Sequence, residues 1–442
     1  MKTSLLLSLS IAGLLALAPV APAQQGAPIA GYKLLNTIAL PGGLVGNDIS
    51  WVDSANARYY LADRGNPPAV PPRVDVIDTL NDQYLTSVVL PAAANGILAI
   101  PARHEIWVGL NDSTVQVIST DSLTITHQVS TGGTARADEI AYDPADRLIL
   151  IANDRDAPPF VSFISQATYS VVKRLNYDGK SANNSTGGLE QPVWDGALSR
   201  FYLAIPATSA NPNGEVDEFD VNTLGVTRVF PTKCTGPTGM VLIPNQRLMV
   251  ACGDVIDILS GQVVTTVTGV GGDEIWYNAG DQRVYFGGGT DRISVSVVDA
   301  NTYALVTTLT VGQIIAAPGV SQTTHSLATD ADNNKLLVPV TGVGIQVWRN
   351  GASLSVIPSP VPVTGSAEGT ALVSWFAPNA TIIEIHVGSP TGPLFAHSIN
   401  HGSQTATGWL ADGLTLYLQD VTNGAAAASN TIATAVVHLL KN

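Results

Sequence analysis

Charged residues are scarce in this 442-residue chain, where Asp, Glu, Lys and Arg make up 13%, about half the roughly 25% typical of soluble globular domains. The 21 Lys and Arg residues, against 35 Asp and Glu, form no cluster. Nucleic acid is therefore an unsuitable partner, because phosphate binding needs clustered positive charge. Beyond the N-terminal segment no stretch reaches the ~20 apolar residues of a spanning helix, so we expect no membrane span.

Several catalytic motifs are also missing. The chain has no G-x-S-x-G nucleophile elbow, no H-E-x-x-H pair and no phosphate-binding glycine loop, which disfavours a serine hydrolase, a zinc protease and a nucleotide enzyme. In place of charge the chain uses Gly, Thr, Ser, Asn and Val, with 41 Gly and 27 Pro. This composition is typical of short strands joined by tight turns.

Residues 1–23 have the pattern of a secretory signal peptide. Lys2 supplies the positive charge, residues 5–18 are apolar, and Ala-Pro-Ala at 21–23 gives a small-residue cleavage site before Gln24. The alternative, an N-terminal anchor, is disfavoured because the apolar run is short and is followed by prolines. We therefore expect a secreted protein, extracellular or periplasmic.

The only two cysteines, Cys234 and Cys252, flank a predicted hairpin. Their strands would bring both to the same end of the sheet, and an exported chain meets an oxidising environment. No Cys–His signature surrounds either residue. The sequence therefore predicts a disulfide rather than a catalytic thiol.

One phrase recurs seven times: a polar residue, a short apolar run, a turn, and a second apolar run. Each copy is followed by a third strand with alternating apolar residues, and a Thr- and Val-rich fourth strand usually follows. Four short strands per unit of roughly 35–50 residues is the pattern of a propeller blade. The seven copies begin at Asp48, Gly96, Glu139, Glu190, Gly239, Glu274 and His325.

The sequence predicts an all-β protein, a seven-bladed β-propeller followed by a small β-sandwich. Residues 32–40 read as an additional strand that would complete the seventh blade and leave no free sheet edge. The third strands VDVIDT (74–79) and VSVVDA (295–300), and more loosely VQVIST (115–120), resemble the V-x-V-I-D phrase of the YVTN-repeat family of seven-bladed propellers. The resemblance covers about residues 32–350 and implies the architecture, not a particular chemistry.

The C-terminal part begins after the Pro-rich joint at 358–362 and alternates short strands with Gly, Asn and Pro turns. We expect an immunoglobulin- or fibronectin-like sandwich, without the Cys…Trp…Cys framework of true immunoglobulin domains. The predicted organisation is a signal peptide at 1–23, a propeller at 24–350, a linker at 351–357 and a sandwich at 358–442.

Acidic and polar residues recur where the first strand of each repeat begins. In a propeller these positions would surround one mouth of the central channel, where a ligand could bind. The expected ligand-binding residues are Asp48, Asn95, Asp138, Glu139, Glu190, Asp273, Glu274 and His325.

Converging carboxylates repel one another unless a cation neutralises them or some keep their protons. Four of these residues, Asn95, Glu139, Glu190 and Glu274, could bind a divalent cation such as Ca²⁺ or Zn²⁺. The layout is similar to that of the gluconolactonase and paraoxonase families, in which a central metal is held by Glu, Asn and Asp from several blades. Polar residues at a water-filled mouth, or acids that cap turns, are the structural alternative.

Three functions are consistent with the sequence. The leading one is a secreted, monomeric propeller that binds a small molecule, glycan or protein at its acidic mouth, with a divalent cation as the candidate cofactor. The second is a metal-dependent lactonase or ester hydrolase at the same site, with His325 as the catalytic base. The third is a structural protein displayed at the cell surface.

Overall fold

The computed structural model describes residues 32–179, 184–288, 293–312, 321–349, 351–364, 368–377, 380–422 and 424–441. The predicted signal peptide lies outside these ranges. Within them every regular element is a strand, apart from three short 3₁₀ turns at Ser54–Asn56, Pro101–Arg103 and Ala428–Asn430. None of the described residues forms a helix long and apolar enough to cross a membrane.

Strand β1 (Lys33–Ile38) precedes six sheets, each built from four strands that are consecutive in the chain and antiparallel. The first two sheets contain β2 (Asn47–Asp53), β3 (Arg58–Asp63), β4 (Arg73–Asp78) and β5 (Gln83–Val89), then β6 (Ala94–Ile100), β7 (Glu105–Leu110), β8 (Thr114–Ser119) and β9 (Ile125–Ser130). The next two contain β10 (Ile140–Asp143), β11 (Leu148–Asn153), β12 (Phe160–Ser165) and β13 (Ser170–Asn176), then β14 (Pro192–Asp195), β15 (Arg200–Ile205), β16 (Glu215–Asp220) and β17 (Gly225–Pro231). The last two contain β18 (Met240–Ile243), β19 (Arg247–Val250), β20 (Asp254–Asp257) and β21 (Gln262–Thr266), then β22 (Ile275–Asn278), β23 (Arg283–Gly287), β24 (Ser294–Asp299) and β25 (Leu305–Thr310).

A seventh four-stranded sheet combines the two ends of this region. Strands β26 (Ala328–Asp330), β27 (Lys335–Val340) and β28 (Gly344–Arg349) are joined by β1, which pairs antiparallel with β28. Ile38 lies opposite Ile345 in this pairing. The predicted N-terminal strand therefore pairs with the seventh repeat, as expected from its position in the sequence.

Burial changes systematically across each sheet. The second and third strands are buried on both faces, as in β11, whereas the fourth strands consist mostly of exposed or half-buried residues, as in β13. Apolar side chains of neighbouring sheets share cores, for example Val76 with Ile106 and Phe163 with Phe201. The first strands of successive sheets contact one another, and β26 contacts β2. The all-β prediction is confirmed, and these four-stranded antiparallel sheets are compatible with propeller blades.

The C-terminal residues form separate sheets. The strands are β29 (Ser353–Ile357), β30 (Val361–Val363), β31 (Gly369–Phe376), β32 (Ile382–Val387), β33 (Leu394–Ile399), β34 (His401–Leu410), β35 (Thr415–Asp420), β36 (Thr431–Val436) and β37 (Leu439–Lys441). One sheet contains β29, β31 and β34, a larger one has the order β33-β32-β35-β36, and β30 pairs in parallel with β37. Both sheets contribute to one core, in which Trp375 and Ile385 are buried. Most of the segment predicted as a linker, 351–357, is strand β29.

The predicted disulfide is confirmed. Cys234 and Cys252 are bonded, with their Cα atoms 5.6 Å apart and a sequence separation of 18 residues. The bond connects the segment before β18 to the residues that follow β19, at the end of the hairpin where both cysteines were expected.

Replacing both cysteines (Cys234→Ala with Cys252→Ala) will lower the free energy of unfolding by about 3 kcal/mol, because the bond restricts the unfolded chain. Urea unfolding of the oxidised protein and of the double variant measures the difference. A reductant should destabilise the natural protein and leave the double variant unchanged. Equal stability of the two oxidised proteins would show that the bond contributes nothing.

Candidate functional site

Antiparallel pairing explains which residues meet at the site. The first strand of each sheet begins at the end where the second strand finishes, so residues that precede the first strand lie beside residues that follow the second. Asp138 and Glu139 directly precede β10, and Asp154 directly follows β11. We call this end of the first strands the acidic end. It contains the eight predicted residues together with Arg64, Arg136 and Asp154.

His325 links carboxylates from distant repeats. Its Nε2 atom lies 2.6 Å from Oδ1 of Asp48 and 3.0 Å from Oδ2 of Asp273. Burial alone would lower the pKa of His325, but its hydrogen bonds to the two carboxylates raise it to about 11. The imidazole is therefore a cation at neutral pH, and it donates its proton rather than accepting one.

Two arginines supply the remaining positive charge. Arg136 lies 2.7 Å from Oδ2 of Asp138 and donates from Nε and Nη2 to Asp154, each at 2.8 Å. Arg64 pairs with Asp48. Burial acts to raise the pKa of Asp48, but His325, Arg64 and Arg136 outweigh it and hold that pKa below its ordinary value.

Asn95 belongs to the same network through Arg64. The Nη2 atom of Arg64 donates to Oδ1 of Asn95 at 3.1 Å, and the Asn95 amide donates to Asn111 at 3.2 Å. Asn111 follows β7, which places it at the same end of its sheet as Asn95. The side-chain oxygen of Asn95, a predicted metal ligand, thus accepts a hydrogen bond from Arg64.

Glu139 and Glu274 are buried, and their carboxyl groups interact directly with each other. Two carboxyl groups in this position share a hydrogen bond only when one of them keeps its proton. Burial first, and then the neighbouring acids, raise the pKa of both groups well above the ordinary value. Among the described residues no donor reaches either oxygen of Glu274 or Oε2 of Glu139.

Glycines allow this close approach of carboxyl groups. A Cβ atom on Gly96 would lie 1.8 Å from the carbonyl oxygen of Asp138, and one on Gly239 would lie 2.5 Å from the carbonyl oxygen of Asp273. The Gly239 amide donates to that carbonyl at 2.7 Å. Neighbouring first strands therefore meet backbone to backbone beside Asp138, Glu139, Asp273 and Glu274.

Glu190 is an acid of this site that can gain or lose a proton near neutral pH. It is partly exposed, and burial, together with repulsion from Asp273 and Asp154, raises its pKa to about 8. Asp138 is nearly fully buried, and burial and the charge of Asp48 raise its pKa well above the ordinary value, although Arg136 opposes this. The acidic end is thus neutralised partly by Arg64, Arg136 and His325 and partly by protons.

The described residues contain no group of three or more His, Cys, Asp or Glu side chains arranged to hold a metal ion. Asn95 and Glu190 do lie at the acidic end with Glu139 and Glu274. The metal-ligand set of Asn95, Glu139, Glu190 and Glu274 stays a prediction.

No protein-family model and no curated protein matches this chain.

Sequence reasoning predicted eight of the residues that lie at the acidic end and missed Arg64, Arg136 and Asp154. Arg64 and Asp154 each directly follow a second strand, and Arg136 lies four residues before a first strand. The predicted hairpins could have revealed Arg64 and Asp154. The second strand of a hairpin returns the chain to the end where the first strand began, so residues that follow it lie at the acidic end.

The Gly96→Ala substitution will destabilise the protein by about 2–3 kcal/mol, because the added methyl group overlaps the backbone at Asp138. Thermal and urea unfolding measure the loss. Gly424→Ala is the matched control, since a Cβ there meets nothing within 4 Å. A Gly96→Ala protein as stable as the control would mean that the two strands do not approach this closely.

The Glu190→Gln substitution will reduce the loss of stability at alkaline pH. A carboxyl group whose folded pKa is raised to about 8 contributes stability that is fully present below its ordinary pKa and is lost as the pH rises through the folded value. Glutamine cannot ionise, so the melting temperature of the variant should fall less than that of the natural protein between about pH 6 and about pH 9. The exposed Glu368→Gln is the control and should keep the natural slope. Identical slopes for Glu190→Gln and the natural protein would contradict the proposed environment of Glu190.

Proposed function

We propose that residues 24–350 form a seven-bladed propeller of the YVTN-repeat type, completed by β1, and that residues after 350 form a small β-sandwich. The contacts between successive first strands, together with the contact between β26 and β2, support this arrangement. We also propose that the protein is exported. The disulfide is consistent with an oxidising compartment, and the N-terminal sequence has the signal-peptide pattern.

We propose that the acidic end binds a ligand without transforming it. The observation that carries the proposal is a set of buried carboxyl oxygens for which the described residues offer no N–H or hydroxyl donor: Oδ1 of Asp138, Oε2 of Glu139 and both oxygens of Glu274. A proton retained between Glu139 and Glu274 would pair only one oxygen of each. Buried acceptors are costly when unpaired, and in native proteins such groups usually have a partner. A ligand that supplies hydrogen bonds or positive charge would provide that partner.

The chemistry of the site defines the ligand class. Carboxyl oxygens accept hydrogen bonds or positive charge once their protons are displaced. The neighbouring Asp273 side chain is 30% exposed, so a ligand could reach the site from solvent. An ammonium or guanidinium group satisfies carboxyl oxygens through several N–H donors. A divalent cation, the candidate cofactor predicted from the sequence, would satisfy the same oxygens as a ligand sphere.

A metal-dependent lactonase or ester hydrolase is the second candidate function. His325 does not favour it, because an imidazolium whose pKa is about 11 is not a base at neutral pH. Glu190 does favour it, since a partly exposed carboxyl group with a pKa of about 8 can exchange a proton near neutrality. A screen of lactones and esters, with and without a chelator, separates hydrolysis from binding.

Melting temperatures measured with added CaCl₂, ZnCl₂ or ethylammonium chloride, at matched ionic strength, test the binding proposal. We expect a saturable rise in at least one series, because a ligand that binds only the folded state stabilises it. Glu274→Gln should weaken that binding by about tenfold, since it replaces a carboxyl oxygen with a donor. The exposed Glu368→Gln is the matched control.

The absence of a rise in all three series would overturn the proposal. So would a rise that persists unchanged in Glu274→Gln, because the responding site would then lie elsewhere.

A further inference from the structure

A cavity of about 460 Å³ lies toward the other end of the first strands. Its lining comes from β2, β6, β10, β14, β18 and β22, and it uses positions that follow the acidic residues in the chain. Ile140 and Ile275, for example, directly follow Glu139 and Glu274 and contribute to its wall. None of the acidic residues themselves is among the described lining residues of the cavity.

The lining is aromatic and uncharged. Three of the chain's seven tryptophans, Trp51, Trp194 and Trp276, contribute to it, together with Tyr142 and Tyr277. No Asp, Glu, Lys, Arg or His side chain is among the lining residues that the structure describes. In a chain with 6% aromatic residues, this concentration forms a distinct chemical surface.

These rings are partly exposed, although a protein core normally buries them. All five aromatic side chains keep part of their surface accessible, whereas Trp107, between two strands of its sheet, is completely buried. Contiguous exposed apolar surface in a soluble protein marks a binding site. The volume lies in the roughly 300–1,000 Å³ range of small-molecule pockets, which makes it too small for a folded partner.

The arrangement of the rings favours a flat ligand. Trp51 and Trp276 meet edge to face, with centroids 5.0 Å apart and planes at 76°, so the wall presents both ring faces and ring edges. Such surfaces pair well with aromatic rings, which prefer offset or edge-to-face contacts. Trp276 also has a buried indole N–H for which the described residues provide no acceptor.

We propose that this cavity binds an uncharged, flat aromatic or polycyclic molecule. The aromatic walls would contact the faces of the ligand. The absence of charge in the lining would exclude ionised ligands, whose desolvation nothing compensates.

The probe for the test is N-phenyl-1-naphthylamine, a neutral aromatic dye whose fluorescence rises in apolar surroundings. We expect saturable one-to-one binding to the full chain, with quenching of tryptophan fluorescence because three of the seven indoles line the cavity. Val241→Trp, which adds a ring inside the lining, should weaken binding at least tenfold, on the order of 1.4 kcal/mol. Val172→Trp is the matched control, since Val172 is 52% exposed on β13.

Competition defines the ligand class. An uncharged naphthol should displace the dye, whereas an aliphatic alcohol of similar carbon number should displace it at least tenfold less effectively. Equal displacement by the two would overturn the preference for flat ligands.

The site itself is overturned if the dye does not bind, or if Val241→Trp, folded with the natural melting temperature, binds it as well as the control does. If Val241→Trp does not fold, Trp194→Ala replaces it as the test, since removing one ring should likewise weaken binding and abolish part of the quenching. Unchanged binding by Trp194→Ala would equally overturn the site.

Discussion

The close approach of first strands at Gly96 and Gly239 is the constraint on which the acidic end depends. A side chain at either position would overlap the backbone of the neighbouring strand, so only glycine permits this spacing. The segments held this close carry Asp138 and Glu139 beside Gly96, and Asp273 and Glu274 beside Gly239. Carboxyl groups at such distances cannot all be charged. The arginines, the imidazolium and the retained protons are therefore needed to stabilise this packing, whether or not a ligand binds.

Positive charge and retained protons share this task. Asp48 and Asp154 pair with arginines, of which Arg64 keeps 34% of its side chain exposed. Burial and the neighbouring acids raise the pKa of Glu139 and Glu274, so these two groups hold protons instead. A positively charged ligand would compete with those protons, and its binding would release them, which links affinity to pH.

Much of the fold could be predicted because the same pattern of apolar runs and turns recurs along the chain. In the copy that begins at Glu139, the two apolar runs form strands β10 and β11. Residues such as Asp138 and Glu274 could be aligned because each lies at or just before the start of a first strand. Arg136 could not be found in this way, since it lies in an irregular segment. Its pairing with Asp154 depends on a hairpin geometry that the residue pattern does not specify. The aromatic cavity could not be predicted either, because no local pattern shows that Trp51, Trp194 and Trp276 line one cavity.

The pairing of β1 with β28 also constrains the order in which the molecule can form. Ile38 and Ile345 are neighbours in the sheet although about three hundred residues separate them in the chain. Contacts of such long sequence separation form late, because the loop between them must first lose its freedom. During synthesis β1 emerges long before β28 and has no partner in its sheet until β28 has been made. For that interval β1 is an unpaired strand, and a chaperone or a second copy of the chain could bind it.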